Sequence, residues 1–169
     1  KRLLPATIIF LLLSCGLVSL EYYSGPLKID KLEVSPIYSS IAKEEGSFTV
    51  FPAFAGTRDA YFQTIHGKKV VSGFLGRRIH DYYLSKYLGE PGIGPLVFGN
   101  LDKQYVTEAD LDSQLVRATY KKYKIKYVFV DKTNLDHPVL SKKAEDYLGK
   151  TLGLPVYAKD QYLTVFKAD

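Results

Sequence analysis

Ile125-Lys126-Tyr127-Val128-Phe129-Val130-Asp131 is the stretch on which the fold turns. It is nearly continuously apolar and rich in β-branched and aromatic residues. A short run of this kind marks a strand buried on both faces, so it predicts a central strand. Just before it, Thr107-Glu108-Ala109-Asp110 opens an amphipathic helix whose apolar positions are Leu111, Leu115, Val116, Ala118 and Tyr123. After it, residues 138–148 predict a further helix ended by Gly149. Residues 154–158 and 162–167 predict a terminal hairpin turning at Lys159-Asp160-Gln161.

Toward the N-terminus, Ser35-Pro36 reads as a helix start, with the hydroxyl at the cap and proline in the first turn. That helix is expected to run through Ile37, Tyr38, Ile41 and Ala42 to Glu45, with Gly46 closing it. Phe48-Thr49-Val50-Phe51-Pro52 is a compact β-type run. Residues 59–66 predict a short helix capped by Gly67, residues 68–72 an extended segment and residues 73–78 a loop. The stretch 88–100, with Gly89, Pro91, Gly92, Gly94, Pro95 and Gly99, reads as a loop. Alternating strands and helices followed by a hairpin predict a compact single α/β domain over 35–169, its mixed β-sheet flanked by helices.

Ahead of that domain, Leu3 to Leu20 carries no charge and lies between Lys1-Arg2 and Glu21-Tyr22-Tyr23. Eighteen helical residues span about 27 Å, close to the hydrocarbon thickness of a bilayer. Residues 1–23 are therefore expected to form a transmembrane helix, residues 24–34 a linker, and residues 35–169 an extracytoplasmic domain. The basic start places the N-terminus in the cytoplasm and residues 24–169 outside the plasma membrane. The chain begins with Lys and contains no Met, which points to a piece of a longer protein and to the last of several crossings. Two other readings exist for the segment. One is a cleaved secretory signal, whose apolar core is usually shorter. The other is a lipoprotein signal, because Leu12-Leu13-Ser14-Cys15-Gly16 resembles a lipobox. Each of these places the remaining chain outside the cytoplasm.

Composition narrows the chemistry. The domain is the size of one ordinary domain, and 46% of the chain is apolar, enough for a core. Cys15 is the only cysteine, so there is no intrachain disulfide, and the domain has neither a thiolate metal ligand nor a cysteine nucleophile. The net charge of +5 gathers at Lys68-Lys69, Arg77-Arg78, Lys121–Lys126 and Lys142-Lys143. The excess is too small, and too far from any recognisable module, for a nucleic-acid binder. Beside a membrane, a basic surface faces anionic head groups or phosphorylated lipids; otherwise it is a solvated surface.

Polar residues with chemical potential concentrate between Pro52 and Tyr83. His66 and His80 with Asp59 or Asp81 fit no metal-ligand spacing, and His137 stands apart, so no metal or other cofactor is expected. Ser72-Gly73 lacks the glycine elbow of a serine nucleophile, and Gly92-Ile93-Gly94 lacks the third glycine of a dinucleotide loop. Arg77 and Arg78, on a glycine-bounded loop, suit bidentate phosphate binding, or else pin that loop to Asp59 or Asp81.

The same region carries a resemblance. Pro36-Ile37-Tyr38 with Ile41-Ala42, then Phe48-Thr49-Val50-Phe51-Pro52, then Asp59-Ala60-Tyr61-Phe62-Gln63-Thr64-Ile65-His66-Gly67-Lys68-Lys69-Val70-Val71-Ser72-Gly73-Phe74 form an ordered series. It resembles the C-terminal exported domain of polytopic GT-C-type membrane glycosyltransferases related to protein mannosyltransferases. Tyr123–Val130, Pro155-Val156-Tyr157 and Leu163–Phe166 are similar to the end of such tails, so the resemblance covers most of residues 35 to 168. It implies a parent enzyme that takes a sugar from a polyprenyl-phosphate donor on the extracytoplasmic side. The catalytic carboxylate of that family lies in an early exported loop, so no catalytic residue falls in this chain, and the fragment alone is expected to be inactive. What the resemblance leaves to this part is covering the membrane-embedded site, shaping the acceptor path or meeting a partner. His66, Arg77 and Arg78 are then the expected contacts to lipid phosphate or acceptor. The alternative is an exported binding or envelope-assembly domain on a single anchor or lipid, without enzymatic activity.

Overall fold

The run at 125–131 lies at the middle of a five-stranded sheet in a computed structural model of the chain, which describes residues 34–54, 57–71, 89–99, 101–102, 104–133 and 138–168. In chain order the elements are α1 (Pro36–Ala42), β1 (Thr49–Ala53), α2 (Thr57–His66), β2 (Lys69–Val70), α3 (Gly94–Phe98), α4 (Glu108–Leu111), α5 (Ser113–Lys122), β3 (Ile125–Asp131) and α6 (Pro138–Asp146). A π-helical turn (Tyr147–Thr151) extends α6, and β4 (Val156–Lys159) and β5 (Leu163–Lys167) close the fold. The strand order is β2-β1-β3-β5-β4. β1 runs parallel to β2 and β3, whereas β5 is antiparallel to both β3 and β4. The sheet is mixed, as the sequence predicts.

Period-two geometry sends alternate side chains of β1 and β3 to opposite faces. On one face, Phe51, Val128 and Val130 pack with Ile93, Leu96, Val116, Tyr120, Ala144 and Leu148 from the helical layer containing α3, α5 and α6. On the other, Val50, Pro52 and Phe129 meet Tyr38 of α1 and Phe62 and His66 of α2. Helices on both faces explain why β3 reads as a continuous apolar run.

Several local expectations are corrected. The helix expected from Thr107 is two helices, broken at Asp112, whose backbone is extended (φ −76°, ψ 102°). The Asp112 carboxylate accepts the amides of Gln114 and Leu115 at 2.9 and 3.2 Å and starts α5 afresh. This changes the buried face: Val116, Thr119 and Tyr120 point inward, whereas Leu111, Leu115 and Ala118 are exposed. Gly149 does not end α6, because the π-helical turn carries the chain through it to Thr151. The stretch 88–100 is not simply a loop. It contains α3, with Pro95 in the first turn and Gly99 in the left-handed cap conformation, φ 67°. α1 ends at Ala42 rather than Glu45.

No helix among the described residues is long and apolar enough to cross a membrane. The expected crossing at 1–23, and the linker at 24–34 except Val34, lie outside the described residues.

Candidate functional site

Two irregularities in the sheet build a polar cluster around Glu44. Against β1, the register passes from Thr49–Ile125 to Val50–Tyr127, leaving Lys126 as an extra residue on β3. Against β5, it passes from Val156–Phe166 to Ala158–Val165, leaving Tyr157 as an extra residue on β4. A bulge re-aims the side chain it carries. Both re-aimed side chains reach the Glu44 carboxylate: Lys126 Nζ donates to Oε2 at 2.6 Å and the Tyr157 hydroxyl to Oε1 at 2.7 Å. The Tyr127 hydroxyl adds a third donor at 2.7 Å.

Burial alone would raise the Glu44 pKa. The hydrogen bonds from Lys126, Tyr127 and Tyr157 and the Lys126 charge outweigh burial and hold the carboxyl below its ordinary value. Burial first, and then Glu44, push the Tyr127 hydroxyl well up, while the bond to Glu44 raises that of Tyr157. The cluster is thus a fixed anion with three committed donors, suited to positioning rather than to proton transfer.

Phe48, just ahead of β1, lies beneath this cluster. The ammonium groups of Lys68 and Lys126 each sit 4.8 Å from its ring centroid. On the same side, Phe48, Ile125 and Lys126 line an open groove of about 480 Å³ together with Arg117, Lys121 and Lys124. Lys124 holds a left-handed backbone, φ 54°, between α5 and β3. Arg117 donates to the Gly153 carbonyl at 3.1 Å. Among the described residues Lys121 and Lys124 make no ion pair, and both are exposed. Phe48 and Ile125 are themselves buried, 8% and 2% exposed, beneath these cations.

Of the expected site residues, only His66 lies among the described residues. His66 is the last residue of α2 and only 3% exposed. Its Nδ1 accepts the Lys68 amide at 3.0 Å, so the neutral ring carries its proton on Nε2. Burial, and secondarily the Lys68 ammonium, lower its pKa to about 4. The adjoining cavity, between Tyr38, Phe62 and Phe129, holds about 10 Å³, room for no more than one water. His66 is therefore a packed neutral side chain rather than a surface contact. Arg77 and Arg78 lie outside the described residues, as do Ser72, His80, Asp81 and His137. Among the described residues no group of three or more His, Cys, Asp or Glu is arranged to hold a metal. Of the basic pairs, Lys68 is engaged over Phe48 and Lys143 pairs with Asp102 at 2.6 Å. The Lys121–Lys126 patch lines the groove beside Phe48, and Lys143 lines a second groove of about 650 Å³ with Leu101, Val106 and Tyr147; the sequence signalled both patches only as charge runs. Glu44 and Tyr157 gave no signal at all.

Comparison with known proteins finds no matching family, no similar curated protein and no similar solved structure.

Proposed function

We propose that the chain is the C-terminal extracytoplasmic part of a multipass membrane glycosyltransferase that transfers a sugar from a polyprenyl-phosphate donor, with residues 1–23 as its last crossing. The observation that carries this reading is the convergence of residues from separate stretches of the resemblance. The Tyr38 ring stacks on Phe62 at 4.4 Å, with His66 at 6.0 Å and Phe129 edge-on at 5.5 Å. Residues from three separate stretches of the resemblance thus share one aromatic core, so the series belongs to a single structural unit. The sequence adds an apolar segment long enough to cross a bilayer, and the domain surface adds a cationic groove suited to a membrane neighbourhood. The domain itself contributes no catalytic carboxylate to this reaction; it covers the membrane site or shapes the path of the acceptor.

The test is to extend the reading frame upstream of Lys1 and map the topology of the encoded protein in membranes. Several further hydrophobic segments, an acidic residue in the first exported loop, and a protease-accessible domain on the outer face are expected. A start codon directly before Lys1 would sink the proposal. The chain would then be a single-anchored or, through Cys15, lipid-anchored exported binding domain.

A further inference from the structure

We infer that the layer of α1 and α2 is an acid-released cover on one face of the sheet, fastened by Asp160, Glu44 and His66, each holding its partners in the deprotonated form. The device belongs to this domain alone and rests on no reading of a parent enzyme.

The three fastenings lie at the ends of the two helices. At the start of α1, the Ser35 hydroxyl donates to Asp160 Oδ2 at 2.6 Å and accepts the Ile37 amide at 3.1 Å, so the helix cap is tied to the turn between β4 and β5. Just past α1, the Glu44 carboxylate gathers Lys126, Tyr127 and Tyr157 from the sheet. At the end of α2, His66 Nδ1 accepts the Lys68 amide, and the Lys68 ammonium donates to the Glu44 carbonyl. Lys68 thus joins the second fastening to the third.

Protonation weakens all three. At Glu44 and Asp160 it removes the charge that strengthens their hydrogen bonds. It also ends the attraction of Lys126 to Glu44 and of Lys132, whose ammonium donates to the Asp160 carbonyl, to Asp160. Burial alone would raise the Asp160 pKa, but the Ser35 hydroxyl and the Leu163 and Tyr162 amides outweigh it and hold the carboxyl below its ordinary value. A proton on His66 Nδ1 would point at the Lys68 amide, itself a donor, so that bond is lost outright. Among the described residues, the charged or titratable groups facing His66 are Tyr38 of α1 and Lys68. β1, β2 and β3 present Val50, Pro52, Val70 and Phe129 to it, so no carboxylate there compensates an imidazolium. Release begins with His66, as pH falls below 6.5, and the carboxylates follow below their ordinary values.

The opposite helical layer is held differently. Phe51, Val128 and Val130 pack there against Ile93, Val116 and Leu148, and no residue of α1 or α2 belongs to that cluster. Its buried carboxylate, Asp110, bonds Gly92 and Thr107 within the helical layer rather than the sheet. Acid therefore loosens one face of the sheet and leaves the other packed, which is the condition for local opening.

The test is hydrogen exchange read by mass spectrometry on the full chain in a neutral detergent, between pH 6.5 and 4.5, with rates corrected for the intrinsic pH dependence of amides. Amides of residues 37–42 and 61–66 should lose protection by about tenfold per pH unit, the slope for one proton taken up on opening. At the acid end they should exchange at least about tenfold faster than the amides of β3 and β5. His66→Gln should flatten the slope, because the ordinary histidine value of 6.5 and the native value of about 4 bracket this window. Equal protection of α1, α2, β3 and β5 at every pH would show one cooperative unit and overturn the cover; this comparison uses the wild type and stands even if the variant fails to fold. An unchanged slope in a folded His66→Gln would overturn release by histidine. None of these outcomes depends on the upstream gene, so failure here is distinguishable from failure of the glycosyltransferase reading.

Discussion

The Asp110 carboxylate accepts the Gly92 amide at 2.8 Å, joining the glycine-rich stretch to the start of the helical layer. Its second oxygen accepts the Thr107 amide and hydroxyl at 2.9 and 2.7 Å, and its carbonyl accepts the Tyr147 hydroxyl at 2.6 Å. Tyr120 closes the set by donating to the Gly92 carbonyl at 3.0 Å. Gly92 itself sits at φ 73°, and a Cβ there would fall 2.5 Å from Val116 Cγ1.

Gly92→Ala therefore meets a backbone penalty and a core clash together, and should destabilise the domain by about 2–4 kcal/mol. Gly89→Ala, with no heavy atom within 4 Å of its Cβ, should change stability by no more than about 0.5 kcal/mol. Urea unfolding of the two variants decides the matter; equal midpoints would show that Gly92 is not constrained as described.

His66 gives a pH signature whose sign is fixed by its burial. Its native pKa of about 4 lies below the ordinary 6.5, so the unfolded chain takes up a proton first as pH falls. The associated stability is full above pH 6.5 and is lost as pH drops toward 4, by up to about 3 kcal/mol. Glutamine at this position keeps an acceptor for the Lys68 amide but cannot titrate. Wild type and His66→Gln should diverge in the slope of unfolding free energy between pH 6.5 and 4, the variant being flatter. Parallel slopes would mean that His66 is solvated and protonates freely.

The central strand and the terminal hairpin were legible in the sequence because each is set by local pattern: a branched apolar run for β3, and two extended runs around Asp160 for the hairpin. Asp160 Oδ1 does accept the Tyr162 and Leu163 amides at 2.8 and 2.7 Å. The phase of α5 was not legible, because a carboxylate that restarts a helix looks the same in sequence as one on its surface. The Glu44 cluster was hidden for a different reason. Its three donors lie 82 to 113 positions from Glu44, and Lys126 and Tyr157 reach it because they are bulged, a property of strand register rather than of either residue. Burial of His66 likewise follows from the packing of α2 on the sheet, which its position before a glycine does not announce.

Glu44 should matter to stability in a pH-dependent way. Its carboxyl pKa is held below the ordinary 4.5, so its contribution is present above that pH and is lost as pH falls through the native value. Glu44→Gln should cost about 1.5–3 kcal/mol at pH 7, the scale of a charge-assisted hydrogen bond, and the gap to wild type should close at acid pH. Tyr157→Phe removes a single, exposed donor and should cost about 0.5–1.5 kcal/mol. In the double variant the two losses should fall short of additive, because both act on one carboxylate. Additive losses would show that the Tyr157 hydroxyl is not bonded to Glu44 in solution.

Arg77 and Arg78 carry the prediction that bears on function most directly. Guanidinium groups bind phosphate through paired N–H donors, and lysine, a point charge, does not reproduce that geometry. If, as proposed, the parent protein is a glycosyltransferase and these residues meet the lipid phosphate, replacing both with alanine should weaken transfer at limiting donor while leaving transfer at saturating donor less affected. Lysine at both positions should recover only part of the loss. A role confined to pinning a loop through Asp59 or Asp81 predicts a different pattern: Asp59→Asn/Asp81→Asn would reproduce the arginine phenotype, and unfolding would shift with it. Measuring donor dependence and thermal unfolding in the same set of variants separates the two. Unchanged transfer at limiting donor in Arg77→Ala/Arg78→Ala would remove both residues from the donor path.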